Sequence, residues 1–330
     1  MKIVRTAVAV RTAVRAARAR GERIGFVPTM GFLHEGHLSL ARRARGENGL
    51  VVASIFVNPL QFGPAEDFDG YPQAPRRDHA LLIREGVDLC YEPRADAVYA
   101  EDFSTLIVVN DLDEPLCGRF RSGHFIGVAT VVAKLLHAVE PDRLYLGAKD
   151  WQQSRVITRM IRDLELPVAL VVCPTVREPD GLAMSSRNTY LTAQERAWAP
   201  NIHRALSAIA AEVRAGRLTR PGEVATAVRR CLRGGLGRVQ YAEILDAESL
   251  RPVDLLRGRL VLATACFVGK ARLIDNVVFT VPSRAARGTR KAGAPGALSK
   301  AGTTGGSVKV GAKRAPRQAD SARSTTWRPR

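Results

Sequence analysis

Short apolar runs and longer amphipathic segments alternate along the first 175 residues of the chain. The apolar runs end at turn residues such as Pro28 and predict buried strands at residues 23–28, 49–57, 87–93, 142–147 and 168–176. Between them, apolar residues recur at helical spacing and predict helices at residues 34–45, 75–86, 127–139 and 150–164. Strands that alternate with helices are typical of parallel pairing, so the pattern predicts a doubly wound, mostly parallel α/β sheet over residues 1–175.

The first 23 residues are rich in arginine and poor in acids, a composition that also occurs in mitochondrial transit peptides. However, apolar residues fall near helical spacing at Val8, Val10, Val14 and Ala17, and Gly21 follows as a stop signal. The segment then runs directly into the first predicted strand. We therefore predict an ordinary first helix here.

The pattern changes after the stretch SSRNTYL at residues 185–191. A long helix is predicted at residues 192–216, and short strands are predicted at residues 239–246, 259–268 and 271–279. This order indicates a smaller α+β domain over residues 176–282.

The net charge of +18 raises the question of nucleic-acid binding. Residues 283–330 hold 12 lysines and arginines against one acid, a net charge of +11, whereas residues 1–282 carry +7. This last segment is rich in Ala, Gly, Ser, Thr and Pro, which bury too little apolar surface to fold, and Trp327 is its one aromatic residue. We predict a disordered basic tail that is solvated or binds polyanions weakly, and no specific nucleic-acid partner.

Cysteine usage and hydropathy indicate the compartment. Five cysteines are scattered along the chain without a C-x-x-C pair, which favours reduced thiols over a disulfide framework or a zinc ribbon. No apolar run approaches the ~18 residues of a membrane span. The sequence therefore predicts a cytoplasmic protein with no membrane partner.

The stretch GFVPTMGFLHEGHLSL places His34 and His37 at the start of a predicted helix. Three interpretations remain open for this pair. The first is a zinc site, although H-E-x-H lacks the usual H-E-x-x-H spacing and a third ligand. The second is that the pair has no functional role, and the third is that it binds an anion. The anion interpretation rests on position, because residues i and i+3 share a helical face and a helix N-terminus favours negative charge.

Further polar residues follow the other predicted strands. Asn58 and Gln61 follow the second strand, and Gly147, Lys149, Asp150 and Gln153 follow the strand at 142–147. Ligands of open parallel sheets bind at the carboxyl ends of the strands, so these side chains are expected to converge. Ser185, Ser186 and Arg187 add two hydroxyls and a guanidinium suited to phosphates. Neither G-x-G-x-x-G nor the P-loop motif occurs.

Several long motifs in the same order resemble the pantoate–β-alanine ligase family over residues 1–282. They are PTMGFLHEGH, SIFVNPLQFGPAEDFDGYP, RSGHFIGVATVVAKL, LGAKDWQQ and PTVREPDGLAMSSRN. The resemblance implies a Rossmann-like fold of the nucleotidyltransferase type, in which HEGH corresponds to the HIGH motif and MSSR to the KMSKS loop of class I aminoacyl-tRNA synthetases. It also implies a homodimer.

The resemblance assigns roles residue by residue. His37 corresponds to the proposed proton donor, Gln61 to a contact for pantoate and β-alanine, and Gln153 to a pantoate contact. Implied ATP contacts are Met30, Gly31, Phe32, Leu33, His34, Glu35, Gly36, His37, Gly147, Ala148, Lys149, Asp150, Val176, Met184, Ser185, Ser186 and Arg187. Ala148 departs from the longer residue that is usual in the family, and a backbone contact to ATP survives that change.

The implied reaction is ATP-dependent. Pantoate would attack the α-phosphorus of ATP to form pantoyl-adenylate and pyrophosphate, and β-alanine would then give pantothenate and AMP. Mg²⁺ would neutralise the phosphates, with Asp78 and Asp150 as candidate ligands but no assigned protein site. The rival functions are a nucleotidyltransferase that keeps the nucleotide on its product and a basic RNA- or DNA-binding module.

Overall fold

The apolar runs of the sequence form the centre of a six-stranded sheet in the computed structural model, which describes residues 1–63, 66 and 68–282. All paired strands are parallel, in the order β1-β4-β3-β2-β5-β6. The strands are β1 (Lys2–Val4), β2 (Ile24–Thr29), β3 (Leu50–Ile55), β4 (Leu89–Tyr91), β5 (Arg143–Gly147) and β6 (Ala169–Cys173). The sequence analysis did not predict β1, which lies inside the segment assigned to the first helix.

Helices cover both faces of this sheet. They are α1 (Ala7–Ala19), α2 (Glu35–Glu47), α3 (Pro75–Arg84), α4 (Ala95–Val98), α5 (His124–Val139) and α6 (Trp151–Asp163). Side chains of successive strand residues point to opposite faces, so Phe26 packs in one core with α1, α5 and α6, and Val27 packs in another with α2 and α3. The predicted doubly wound α/β fold is confirmed.

The remaining described chain forms a smaller antiparallel sheet with helices. Its elements are α7 (Ala193–Trp198), α8 (Asn201–Arg214), α9 (Pro221–Cys231), β7 (Gly237–Asp246), β8 (Gly258–Val268) and β9 (Ala271–Val281), with the strands in the order β7-β8-β9. The single long helix predicted at 192–216 is wrong, because the chain breaks at Ala199-Pro200, where proline lacks the N–H that would continue the hydrogen-bond ladder. The sequence analysis also missed α9.

The strand order fixes where a ligand can bind. From β2 the chain proceeds to β3 and β4 on one side, and β5 and β6 lie on the other side of β2. This reversal creates a crevice at the carboxyl ends of β2 and β5, the usual ligand site of open α/β sheets.

The chain from Met1 to Ser283 clusters as one compact unit, and strands of both sheets contribute to one core. The predicted boundary between residues 175 and 176 stays a prediction, and the predicted tail at 283–330 lies outside the described residues. Within the part of the chain that the structure describes, no helix is both long enough and apolar enough to cross a membrane.

Candidate active site

A cleft of about 230 Å³ opens at the carboxyl ends of β2 and β5. All four stretches that the sequence analysis singled out contribute to it. The predicted residues that line the cleft are Met30, His34, Gly36, His37, Gln61, Gly147, Lys149, Asp150, Gln153, Val176, Met184, Ser185, Ser186 and Arg187. The structure therefore brings together side chains that are up to 157 positions apart in the chain.

The other predicted ATP contacts do not line the cleft. These residues are Gly31, Phe32, Leu33, Glu35 and Ala148. Three of them form the turn after β2, where the buried carboxylate of Asp78 accepts the backbone N–H groups of Phe32 at 2.7 Å and Leu33 at 2.9 Å. Asp78 is also absent from the cleft lining, so its place in the structure is to hold this turn.

The two histidines are fixed by a reciprocal cap at the start of α2. His34 Nδ1 accepts the backbone N–H of Gly36 at 3.1 Å, and His37 Nδ1 lies 3.4 Å from the backbone N–H of His34. A ring nitrogen that accepts a hydrogen bond carries no proton, so each neutral ring carries its proton on Nε2. Both residues therefore offer an N–H donor to the cleft, and their ring centroids lie 4.0 Å apart.

The environment keeps both rings neutral. Burial, with the positive charge of Lys149 nearby, lowers the pKa of His34 to about 4. Burial, followed by the neighbouring His34 and Lys149, holds the pKa of His37 well below its usual value. At neutral pH the two histidines are therefore hydrogen-bond donors and not cations. An anionic ligand would reverse part of this effect, because negative charge stabilises the imidazolium form.

Gly36 is required by the same cap. A Cβ atom at this position would lie 2.8 Å from His34 Cε1 and 2.9 Å from His34 Nδ1. Glycine therefore lets the His34 ring lie against the first turn of α2.

Gln61 is oriented by a buried network behind it. Asn58 Nδ2 donates to Gln61 Oε1 at 3.0 Å and to the Gly127 carbonyl at 3.0 Å, and Asn58 Oδ1 accepts from Tyr99 Oη at 2.8 Å. Because the Gln61 oxygen is turned toward Asn58, its amide nitrogen is the group left to donate to a ligand. Sequence reasoning placed Asn58 on the rim, whereas the structure buries it as the support for Gln61.

The adjacent residues Gln152 and Gln153 have different roles. Gln153 lies in the first turn of α6 and lines the cleft. Gln152 is buried, accepts the Cys117 N–H at 3.1 Å and donates to the carbonyls of Leu112 and Pro115. Gln153 therefore faces the cleft, and Gln152 anchors the loop before α5.

Arg121 and His124 line the cleft but were not predicted as site residues. Arg121 donates to both oxygens of Glu66 at 2.6 Å, and its Nη1 lies 2.8 Å from His124 Nε2. His124 Nδ1 donates to the Gln61 carbonyl at 2.8 Å, and burial, followed by Arg121, lowers the pKa of His124 to about 3. Both residues occur in the motif RSGHFIGVATVVAKL, which was the available signal.

A residue of the antiparallel sheet binds the backbone of the turn that carries Lys149. Asn276 of β9 donates through Nδ2 to the carbonyls of Ala148 at 3.0 Å and Lys149 at 2.8 Å. The next residue along β9, Asp275, binds both terminal nitrogens of Arg177 at 2.7 and 2.9 Å. One strand thus supports both the turn that carries Lys149 and the base of the loop that carries Ser185. Nothing in the local sequence indicated this role.

The predicted Ser-rich loop returns to the cleft from a short hairpin. Met184 donates its backbone N–H to the Val176 carbonyl at 3.1 Å, which ties the loop to the segment after β6. Ser185 Oγ accepts the backbone N–H of Arg187 at 3.3 Å, and Ser186 is buried. The loop therefore presents hydroxyl and guanidinium groups opposite the α2 N-terminus.

The two sides of the cleft differ in chemistry. One side combines the imidazole N–H groups, the Lys149 ammonium and the loop at 184–187. The other side includes an apolar wall from α5, formed by Val128, Val131, Val132 and Leu135. This arrangement suits a polyanion beside a small, partly apolar ligand that is held by amides.

Known proteins match the chain over almost the same span. A family profile described as pantoate-beta-alanine ligase matches residues 2–278. The chain is 49% identical over 286 residues to the pantothenate synthetase of Moorella thermoacetica, which covers 85% of this chain and 99% of the relative. It is 48% identical over 284 residues to that of Thermotoga neapolitana, covering 84% of this chain and 99% of the relative.

Solved structures agree with the sequence matches. The crystal structure of pantothenate synthetase from Thermus thermophilus superposes with a TM-score of 0.79 at 46% identity, covering 84% of this chain and 99% of that one. The pantoate-beta-alanine ligase of Francisella tularensis, complexed with beta-gamma ATP and β-alanine, has a TM-score of 0.69 at 34% identity and covers 84% and 97% of the two chains. The fold, the convergence of the motifs on one cleft and these matches together show that the chain is a ligase of the pantoate–β-alanine ligase family.

Proposed function

We propose that this cleft condenses (R)-pantoate with β-alanine in two steps. In the first step, a pantoate carboxylate oxygen attacks the α-phosphorus of ATP, which forms pantoyl-adenylate and releases pyrophosphate. In the second step, the amine of β-alanine attacks the acyl carbon and AMP leaves. The observation that carries this proposal is the convergence of an anion-binding side and an amide-bearing, apolar side in one cleft.

The triphosphate would lie at the N-terminus of α2. His34 and His37 offer their Nε2–H groups there, and Lys149 and Arg187 supply positive charge. Charge that develops on the leaving pyrophosphate is stabilised best by donors that are already oriented. Because phosphate charge raises the pKa of a nearby imidazole, His37 is placed to donate a hydrogen bond or a proton to the leaving group.

Pantoate would lie between the amides and the apolar wall. The Gln61 amide nitrogen and the Gln153 side chain match its carboxylate and hydroxyl groups, and the valines of α5 match its two methyl groups. The reaction needs no protein nucleophile, so positioning accounts for much of the catalysis. The support for Gln61 from Asn58 is therefore part of the proposed mechanism.

A magnesium ion fits the carboxylate that lines the cleft. Asp150 is 45% exposed and lies 3.7 Å from Lys149 Nζ. Mg²⁺ commonly takes one or two carboxylates together with phosphate oxygens and water, so Asp150 is the residue we assign to it. The ion would supply charge neutralisation on the triphosphate.

We also propose a cytoplasmic homodimer in which residues 176–282 form a smaller C-terminal α+β domain that shares a core with the first. The absence of disulfide bonds among the five cysteines, all of which lie in the described chain, supports a reducing compartment. Light scattering of the purified protein would test the dimer.

The function is tested by following AMP and pyrophosphate while each substrate is omitted in turn. We expect pyrophosphate exchange into ATP with pantoate alone, and net AMP release only when β-alanine is added. A product that retains the nucleotide, or AMP release that does not depend on β-alanine, would contradict the proposal.

A further inference from the structure

Three side chains with metal-binding atoms converge away from the cleft, at the end of β4. They are His79 on α3, Cys90 in β4 and Glu92 directly after that strand. Their ligand atoms all lie within 4.8 Å of one another. His79 Nε2 contacts Glu92 Oε1, and Cys90 Sγ lies 3.4 Å from the same oxygen. None of the three lines the proposed ATP and pantoate cleft.

The surroundings of this cluster favour a cation. The Glu92 carboxylate places negative charge against both the His79 ring and the Cys90 sulfur. Within the part of the chain described, no lysine or arginine forms an ion pair with Glu92. Cys90 is fully buried, whereas the side chains of His79 and Glu92 are 21% and 17% exposed. An ion would therefore reach a buried sulfur past two partly exposed ligands.

We propose that His79, Cys90 and Glu92 bind one divalent transition-metal ion of the zinc class. Imidazole nitrogen, thiolate and carboxylate are the three ligand types that zinc takes in proteins, and a water molecule completes a tetrahedron. Bond lengths of about 2.0–2.3 Å place tetrahedral ligands roughly 3.3–3.8 Å apart. Ligand atoms that already lie within 4.8 Å of one another reach that spacing by small side-chain rotations.

The charges balance when the ion binds. The Cys90 thiol loses its proton to solvent, and the thiolate and the Glu92 carboxylate together neutralise the two positive charges. His79 binds as a neutral imidazole through Nε2, so its contact with Glu92 is replaced by bonds from both residues to the metal. The competing explanation is that His79 and Glu92 only form a structural contact between α3 and the end of β4, and that Cys90 is an ordinary core residue.

Cobalt(II) titration of the full-length protein distinguishes these explanations. The protein is treated with a chelator, kept free of ATP and titrated with Co²⁺, while the thiolate-to-cobalt charge-transfer absorption is recorded. We expect this band to saturate at one ion per chain and to disappear when Zn²⁺ displaces the cobalt. Absence of a thiolate band in the wild-type protein would overturn the proposal.

Matched variants assign the ligands. Cys90→Ser should abolish the charge-transfer band, whereas Cys266→Ser, which alters another buried cysteine in β8, should keep it. Glu92→Gln and His79→Gln keep the thiol and should weaken Co²⁺ binding about tenfold or more, so they decide the question if Cys90→Ser does not fold. A band that persists in Cys90→Ser, or unchanged affinity in both Gln variants, would contradict the site. The readout does not depend on catalysis, so its failure is separate from a failure of the proposed function.

Discussion

Asn276→Ala tests whether the antiparallel sheet positions the lysine of the cleft. Asn276 is 8% exposed and donates from one nitrogen to the carbonyls of Ala148 and Lys149, at 3.0 and 2.8 Å. The substitution removes both hydrogen bonds and leaves two carbonyls without these partners. Asn276 does not line the cleft, so we expect it to act as a positioning residue for Lys149.

The size of the effect follows from those two bonds. A buried hydrogen bond contributes about 0.5–1.5 kcal/mol net, so the variant should lose about 1–3 kcal/mol of unfolding free energy. Catalysis should suffer separately, because a displacement of about 1 Å in a reacting group costs roughly a hundredfold in rate. We expect kcat/KM for ATP to fall about ten- to a hundredfold, which corresponds to about 1.4–2.7 kcal/mol.

The assay is pyrophosphate exchange with pantoate, measured together with a thermal melt. Asn201→Ala is the matched control, since Asn201 Nδ2 donates to the Trp198 carbonyl at 2.8 Å and lies outside the cleft lining. The control should lose stability but keep its kcat/KM. Asn276→Asp, which places carboxylate oxygens against two carbonyls, should be at least as impaired as Asn276→Ala. An Asn276→Ala enzyme with a lowered Tm and an unchanged kcat/KM would refute the positioning role.

Four further predictions concern the cleft and the tail. His37→Ala should cost about 2–4 kcal/mol of transition-state stabilisation, by comparison with the loss of one oxyanion donor; pyrophosphate exchange measures this, and full activity or stoichiometric zinc at the histidine pair would contradict it. Gln153→Ala and Asn58→Asp should each raise the KM for pantoate about tenfold, which corresponds to the loss of roughly one hydrogen bond. The KM for ATP should change much less, and equal changes in the two KM values would indicate misfolding. The pKa of His34 falls from 6.5 to about 4 in the folded chain, so below pH 6.5 the unfolded chain binds a proton that the folded chain excludes. Stability is therefore lost as the pH falls. Thermal melts between pH 7 and 5 should show that the Tm of His34→Gln declines less than the Tm of the wild-type protein. A chain that stops at Pro282 should keep its Tm and kcat, because the composition of residues 283–330 predicts that they bury little apolar surface and so add little stability. A large fall in either quantity would show that the tail docks on the enzyme.

The periodic patterns predicted the main sheet because its strands are buried on both faces. Phe26 and Val27 are both fully or nearly fully buried, in cores on opposite sides of β2, and such strands appear as continuous apolar runs. β1 escaped prediction because only Val4 of its three residues is buried. The break before α8 was marked by Pro200, which the apolar spacing around it concealed. The local sequence contains no further signal for β1 or for the break before α8.

The site was predictable as far as its motifs are contiguous. HEGH, LGAKDWQQ and MSSR each bring several polar groups to one turn, so their convergence followed from the order of strands and helices. The partners that orient those groups were not predictable in this way. Asp78 and Asn276 act on backbone atoms that lie 45 or more positions away in sequence, and only the tertiary structure shows such contacts.

The central claim is that the pantoate carboxylate attacks the α-phosphorus of ATP. Transfer of a labelled carboxylate oxygen to AMP tests this claim most directly. Pantoate labelled with ¹⁸O in its carboxylate is turned over with ATP and β-alanine, and the nucleotide product is analysed by mass spectrometry. Attack by the carboxylate on the α-phosphorus, followed by cleavage of the acyl–oxygen bond, leaves one labelled oxygen in AMP and none in pyrophosphate. Label in orthophosphate together with ADP, or AMP that carries no label, would contradict the pantoyl-adenylate mechanism.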